Sequence, residues 1–507
     1  MLKKRFIKTM TFIVGSMLAF AIVACGDSGS KSPGGLSNLG TETYAGTANG
    51  VLYTLTITEK AGKAAYAPQG GDSYELTAAA KTSTGTVESF VGGTFTLAPS
   101  GDSGNTFFVT VSGIGITAMS GTITWDGGAT ESAPANFIPK TTGAADDPFL
   151  ISTSADLLKV GKGTDGWTLD AHYKLTDDIN MTGVPWEPIG DIDVSQFDDY
   201  DESVDLITFI GTLKYDSAFR GSFDGNGKKI LNLKVDSTSD FVGLFGVVGP
   251  GGIVEGLGLE NVDIKGYDSV GGIAGFNFGT IENCYVTGAV TGDVTGVEDG
   301  VGGIAGGNFG PIENCYVTGN VIGGDMVGGI VGENFVGVIK NCNTTGSVTG
   351  NDWAVGGIVG SNKGKIENCY ATGAVTGGNE SVGGIAGSNR EGMSTIKNCY
   401  ATGAVTGSTS VGGIVGGNDG KIENCVALNT TISASSYAGR VTGDDFGELS
   451  NNYARSSGMT LTGGTASSSL NGIHGEDIAS WGPAWFASIG FTDSWWTDKP
   501  DRLPTGS

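Results

Sequence analysis

Hydrophobic and polar residues change their period along this chain. Between residues 45 and 128 they alternate: Tyr53, Leu55 and Ile57 interleave with Thr54, Thr56 and Thr58, and the same alternation returns at 94–97, 107–111 and 122–125. A period of two is that of a strand with one face buried. Turn-forming clusters at 68–72, 100–104 and 126–128 separate the runs, which predicts a small antiparallel meander, either a sandwich or a barrel. Residues 129–145, with Pro134 and Pro139, read as a linker. Thr153 and Asp156 ahead of Leu157 and Leu158 have capping-box spacing and predict one short helix.

After residue 240 the pattern repeats itself. Val270-Gly-Gly-Ile-Ala-Gly-Phe-Asn277 is followed by Ile281-Glu-Asn-Cys-Tyr-Val-Thr-Gly288, and the unit restarts at Val301, Val327, Val355, Val382 and Val411. Cys284, Cys315, Cys342, Cys369, Cys399 and Cys425 keep its phase at intervals of 31, 27, 27, 30 and 26 residues, with insertions at 293–300 and 390–394 behind the longer steps. Cys284, Val286, Gly288 and Val290 form the inward set of one strand, while Gly and Asn suit the sharp corners. The prediction is a coil of three strands. Such a coil cannot bury its own apolar face, so neighbours stack about 4.8 Å apart into parallel sheets with right-handed crossovers.

The fold class expected is therefore all-β: a right-handed parallel β-solenoid preceded by a small antiparallel β domain. Opening coils and the short helix occupy 146–240, the repeats 241–455 and a C-terminal cap 456–507. Trp481, Trp485, Trp495 and Trp496, half of the eight tryptophans, fall in that last segment and are expected to cover the exposed strand edges at the end of the stack.

The unit Val-Gly-Gly-[Ile/Leu]-[Val/Ala]-Gly-x-Asn followed by Ile-x-Asn-Cys-x-x-x-Gly resembles the GLUG motif, found in bacterial surface proteins and in the non-catalytic part of some IgA peptidases. Phe219-Arg-Gly-Ser-Phe-Asp-Gly-Asn-Gly227, Ile230-x-Asn-Leu233, Phe241-Val-Gly-Leu-Phe-Gly246 and Asp147-Pro-Phe-Leu-Ile-Ser look like the opening of such arrays. The resemblance covers roughly 146–505 and implies a scaffold; the motif itself implies no chemistry.

The N-terminus carries Lys3, Lys4, Arg5 and Lys8, an apolar run from Met10 to Ala24, and then Cys25 followed by a Gly/Ser-rich tether. Residues 1–24 read as a signal peptide. Ile22-Val23-Ala24-Cys25 resembles the bacterial lipoprotein box, which implies that Cys25 receives a lipid and becomes the mature N-terminus, with 25–44 as the tether. Loss of the signal leaves 24 basic against 53 acidic side chains, a charge of -29. That balance excludes nucleic acid as a partner and leaves the lipid to supply attachment to an anionic membrane.

Candidate chemistry is sparse. Successive repeat cysteines stand about 4.8 Å apart with parallel Cα–Cβ vectors, unlike a disulfide's converging geometry, so a ladder of free thiols is expected. Asn283, Asn314, Asn341, Asn368, Asn398 and Asn424 should hydrogen-bond along the axis at a corner. His172 and His474 are the only histidines and lie in no zinc motif. Asp191, Asp193, Asp198, Asp199, Asp201, Glu202 and Asp205 make an acidic loop that lacks the EF-hand order. Glu282, Glu313, Glu367 and Glu423, with Lys340 and Lys397 at the same position, read as surface charge, not a glycosidase pair. Neither metal nor cofactor is expected, nor is catalysis. Tyr285, Tyr316, Tyr370 and Tyr400 follow the repeat cysteine and point outward, a row suited to a glycan or a host or neighbour-cell surface ligand. The expected role is binding or adhesion at the cell envelope, at the outer membrane or cell surface. The alternatives are a carbohydrate-active enzyme on a β-helix and an envelope spacer without a ligand.

Overall fold

A computed structural model describes the strands within 41–139 and residues 143–193, 195–196, 206–294, 300–390, 394–464, 472–499 and 502–506. The export signal, Cys25 and most of the tether lie outside the described residues. The chain divides into two compact units at Leu150/Ile151.

The first unit is one antiparallel sheet. Seven strands, from Thr41–Ala48 to Gly115–Thr124, pair each with the next. A parallel bridge between Ala45 and Gly115 then joins the seventh strand to the first. An odd number of antiparallel strands leaves the first and last parallel, so this bridge closes the meander on itself. The segment expected as a linker contributes two further strands: Thr130–Ser132 pairs with Gly115–Thr124 and Ile138–Pro139 with Thr41–Ala48. Proline is excluded from the interior of a ladder but tolerated at an edge, where its missing N–H is not needed; Ile138–Pro139 ends the strand order of its sheet.

The second unit is a parallel β-solenoid. Thr153 opens it as an N-cap, accepting from the Asp156 N–H at the start of the helix Ser154–Leu157. Four sheets of 11, 18, 8 and 7 strands then run along the stack, so the three-strand coil is corrected to a four-sided one. The coil beginning at Val301–Gly302 continues through Ala305–Asn308, Pro311–Glu313, Tyr316–Val317 and Asn320–Gly323. The extra corner lies at Gly302 and Gly303. A Cβ on Gly302 would stand 2.0 Å from the Ala305 carbonyl oxygen, and one on Gly303 would stand 2.4 Å from that of Gly329, so only glycine allows the chain to turn there against the next coil.

Register is kept from coil to coil. Ile281, Ile312, Ile339, Ile366, Ile396 and Ile422 pair in succession and are fully buried. Each such side chain contributes about 1.5–3 kcal/mol through apolar burial. The opening coils are filled instead by Tyr173, Phe219, Phe223 and Phe245, also fully buried.

Two asparagine ladders hold the corners. The expected one uses residues in the left-handed region, with φ of 53° to 56° from Asn283 to Asn424, a conformation Asn tolerates better than most residues. Its side chains bond upward: Asn341 to Asn314 at 3.1 Å, Asn398 to Asn368 at 3.2 Å and Asn424 to Asn398 at 2.6 Å. The second ladder was not anticipated. Asn277, Asn308, Asn334, Asn362, Asn389 and Asn418 are all buried, and each gives a side-chain N–H to the next at 2.8 to 2.9 Å, ending on Asp445 at 2.7 Å.

Candidate functional site

The outward side of the 18-stranded sheet gathers the residues with most to offer a ligand. Tyr285 and Tyr316 sit in register on adjacent coils, with ring centroids 4.8 Å apart and planes 3° from parallel. Tyr316 is 39% exposed. Tyr285 donates its hydroxyl to Glu260 Oε1 at 2.7 Å, and the Lys229 ammonium approaches the same oxygen at 2.8 Å. Lys229 and then Tyr285 hold the Glu260 carboxyl below its ordinary range, while burial and the Glu260 charge push the Tyr285 phenol up. The phenol therefore stays protonated and fixed, and the outer rung of the pair, Tyr316, is left open.

The other half of the expected row is not a free surface. Tyr370 and Tyr400 stack at 5.0 Å, but Tyr400 is only 2% exposed and Tyr370 is half-buried. Asn343 stands between the two pairs. The cover comes from the C-terminal helices Pro483–Ser488 and Ser494–Thr497, whose Phe486 and Trp496, with Phe491, are fully buried against Tyr400, Val426 and Leu428. Trp496 gives its indole N–H to Asn368 Oδ1 at 3.3 Å, and the Tyr400 hydroxyl donates to the Arg502 carbonyl. Of the expected row of four tyrosines, the cap thus covers Tyr370 and Tyr400 and leaves Tyr285 and Tyr316.

The cap also differs from expectation in place. Its aromatics lie along the flank of the last coils, while the strand Glu476–Ile478 extends the sheet end by pairing with Tyr453–Arg455. The reason is in the outward positions. Val426 and Leu428 replace the polar Tyr and Thr of earlier coils, and an apolar outward pair needs cover.

Between residues 285 and 433 charge divides the two broad faces of the solenoid; before and after that run the 18-stranded sheet also carries charged residues, such as Lys229, Glu260 and Arg455. Every strand of the 11-stranded sheet from Ser222–Asp224 to Glu448–Ser450 carries at least one charged residue. The outer sheet segments 285–291, 316–323, 343–350, 370–377, 400–406 and 426–433 contain none, in a protein of net charge -25. On the charged face Asp224, Glu255, Glu282 and Glu313 follow one another in register. Burial, with the neighbouring Asp224 and Glu282 charges, raises the Glu255 carboxyl above its usual range.

The remaining candidates are quieter. The six repeat cysteines are free and buried, and thiols such as Cys284 donate to a carbonyl two residues back, here Glu282 at 3.1 Å. Burial pushes the Cys284 and Cys315 thiols well above their ordinary value, so they are poor nucleophiles. Of the acidic loop, Asp191 and Asp193 border an open cleft of about 570 Å³ with Asp240, Phe241 and Tyr267; Asp198, Asp199, Asp201, Glu202 and Asp205 lie outside the described residues. Asp193 is held low by the Ser195 hydroxyl and N–H, which it accepts at 2.7 and 3.0 Å. Among the described residues no group of three or more His, Cys, Asp or Glu could hold a metal ion, and no helix is long and apolar enough to cross a membrane.

Comparison with known proteins bears on the coils. Residues 266–291, 299–322, 351–376, 378–406 and 407–433 match the GLUG motif. The coil between the second and third matches keeps the same register, with Asn343 in the Tyr position. The chain is a parallel β-solenoid whose coils carry GLUG repeats. It is 38% identical over 160 residues, 30% of its length, to the halomucin of Haloquadratum walsbyi, and 33% identical over 158 residues, 28% of its length, to a protein of Evansella cellulosilytica described as a Gly-rich membrane protein. The matches span 2% and 15% of those two proteins. A solved structure described as an immunoglobulin A1 protease from Bacteroides ovatus is 22% identical, covering 69% of this chain and 88% of that one at a TM-score of 0.35. That score is too low to relate the two chains coil by coil.

Proposed function

We propose that the protein is a lipid-anchored, non-catalytic binding protein of the cell envelope, acting in adhesion. One observation carries the reading: a parallel tyrosine stack, Tyr285 on Tyr316, with Tyr316 exposed, begins the run of outer strands between 285 and 433 that carries no charge, next to the Lys229–Glu260 ion pair of the preceding coils. Stacked phenols at the head of an uncharged run of strands offer an amphipathic surface to a ring or a partner chain. The names of the two relatives, a mucin-like name and a membrane protein, support an envelope location. The Ala24-Cys25 junction supports an acyl anchor, because two or three chains on one cysteine hold a protein to a membrane that repels its charge.

The test has two arms. Replacing Tyr285 and Tyr316 by Ser is expected to abolish binding to glycan or matrix surfaces while leaving the thermal unfolding transition in place; unchanged binding would remove this face. Cys25→Ala is expected to move the protein from the membrane fraction to the soluble fraction, and retention in the membrane would sink the anchor.

A further inference from the structure

The chain contains its own example of a group seated on the tyrosine row. At Tyr370 and Tyr400 the Trp496 ring lies 6.1 and 5.9 Å from the two phenols, tilted by 45° to both, and its polar edge donates to Asn368 in the residue pair before Tyr370. The same elements stand open three coils earlier. Tyr285 and Tyr316 form the platform, and Asn283 precedes Cys284 as Asn368 precedes Cys369, in the same left-handed conformation. A ring with a hydrogen-bond donor on its edge fits there.

What lies beside the platform narrows the class of ring. Thr287, Thr318, Thr345, Thr372 and Thr402 form a column next to the tyrosines, tied by coil-to-coil backbone bonds from Thr318, Thr345, Thr372 and Thr402 at 3.0 to 3.1 Å. Thr318, Thr345 and Thr372 are exposed. A second column, Thr349, Thr376, Thr406, Ser433 and Thr462, runs in register across the bend. A ligand lying along the axis meets a hydroxyl at every step of about 4.8 Å and a ring platform at one end. The cap closes the other end. The Lys229–Glu260 ion pair flanks the platform on the side of the preceding coils, but no carboxylate or ammonium interrupts the outer strand segments between 285 and 433, and an anionic polymer would be repelled by the charge of the whole protein.

We propose, on the strength of the binding role argued above, that this face takes a neutral polysaccharide laid parallel to the solenoid axis, with one sugar ring against Tyr285–Tyr316 and its hydroxyls exchanged with the threonine columns. Hydroxylated rings repeated along an uncharged chain are the ligand chemistry that uses both columns and the platform together.

The experiment is affinity electrophoresis of the full-length protein in detergent through gels holding neutral polysaccharides (a β-glucan, a mannan, a galactan) or uronate polymers. At least one neutral polymer should retard it and the uronates should not. The double variant Thr345→Glu/Thr372→Glu should weaken that retardation at least ten-fold, while Thr395→Glu on the charged face leaves it unchanged; thermal unfolding of each variant controls for folding. Equal retardation by uronates, or undiminished retardation of the double variant, overturns the proposal. Loss of cell or matrix binding on Tyr285→Ser/Tyr316→Ser without retardation by any neutral polymer overturns the ligand class and leaves the binding face standing. Absence of any Tyr-dependent binding overturns both.

Discussion

Trp496 donates its indole N–H to the side-chain oxygen of Asn368 across 128 residues of sequence. This bond fixes the angle at which the C-terminal helices lie on the flank, because the indole is fully buried and edges both Tyr370 and Tyr400. Trp496→Ala should cost about 3–5 kcal/mol of stability, as Trp truncations in cores do. Urea unfolding followed by limited proteolysis checks it: cleavage should concentrate in 480–506 while the coils stay intact, and uniform digestion would contradict the docking.

The carboxylate column on the opposite face is a weakness. Asp224, Glu255, Glu282 and Glu313 follow in register, and like charges directly opposite each other in a sheet are unfavourable by roughly 0.2–1 kcal/mol. Lys340 and Lys397 already break the column further along. Glu282→Lys should raise the melting temperature at pH 7 and low salt, with the gain shrinking at high salt. The raised Glu255 carboxyl gives the sign: its charged form is disfavoured in the fold, so the penalty is absent at low pH and appears as pH rises through the unfolded value. A lower melting temperature for the variant would show that the column is neutralised by other means.

His474 supplies a pH dependence of the opposite sense. Its Nδ1 accepts the Arg440 backbone N–H at 3.3 Å, and burial followed by the Arg440 charge pulls the imidazole below its ordinary value. A protonated ring could not accept that bond. The folded state is therefore favoured fully above about pH 6.5, and stability declines as pH falls, because the unfolded chain binds a proton the folded chain resists. Melting curves between pH 7.5 and 5 should be flatter for His474→Gln than for the native protein; parallel curves would exclude His474 as the source.

Thiol reactivity separates a ladder from disulfides. Iodoacetamide at pH 8 should leave the native coils unmodified, since all six repeat cysteines are buried. After unfolding without reductant the same six should react. Fewer than three would mean that the ladder is oxidised in the cell.

The periodic part of the chain was legible from sequence because one coil stacks on the next with the same residues in contact, so spacing alone carries the three-dimensional neighbour. Cys284 and Cys315 announced the register, and Asn283 announced the corner. The Asn277 ladder had a visible signal, an Asn closing every Val-Gly-Gly unit, yet a turn asparagine and a buried one look alike until the second donor is followed. The fate of Tyr400 was not legible. Its partners, Phe486 and Trp496, arrive from a segment with no repeat, and an aromatic-rich tail announces burial without announcing its target. Pro139 misled for a local reason, since proline forbids a central strand but not an edge.

Coil-for-coil register also has a genetic consequence. Repeated units with a basic period of 26 or 27 residues invite unequal recombination, and because coils pair mainly with their neighbours, a whole unit can be gained or lost while the cap and most of the surviving coils keep their contacts. Excision of the unit around Cys342 would bring Tyr316 directly beneath Tyr370, fusing two tyrosine pairs into one. Lineages carrying this gene should accordingly vary in solenoid length by integral coils, and with each step the distance between the open tyrosines and the capped ones would change by about 4.8 Å.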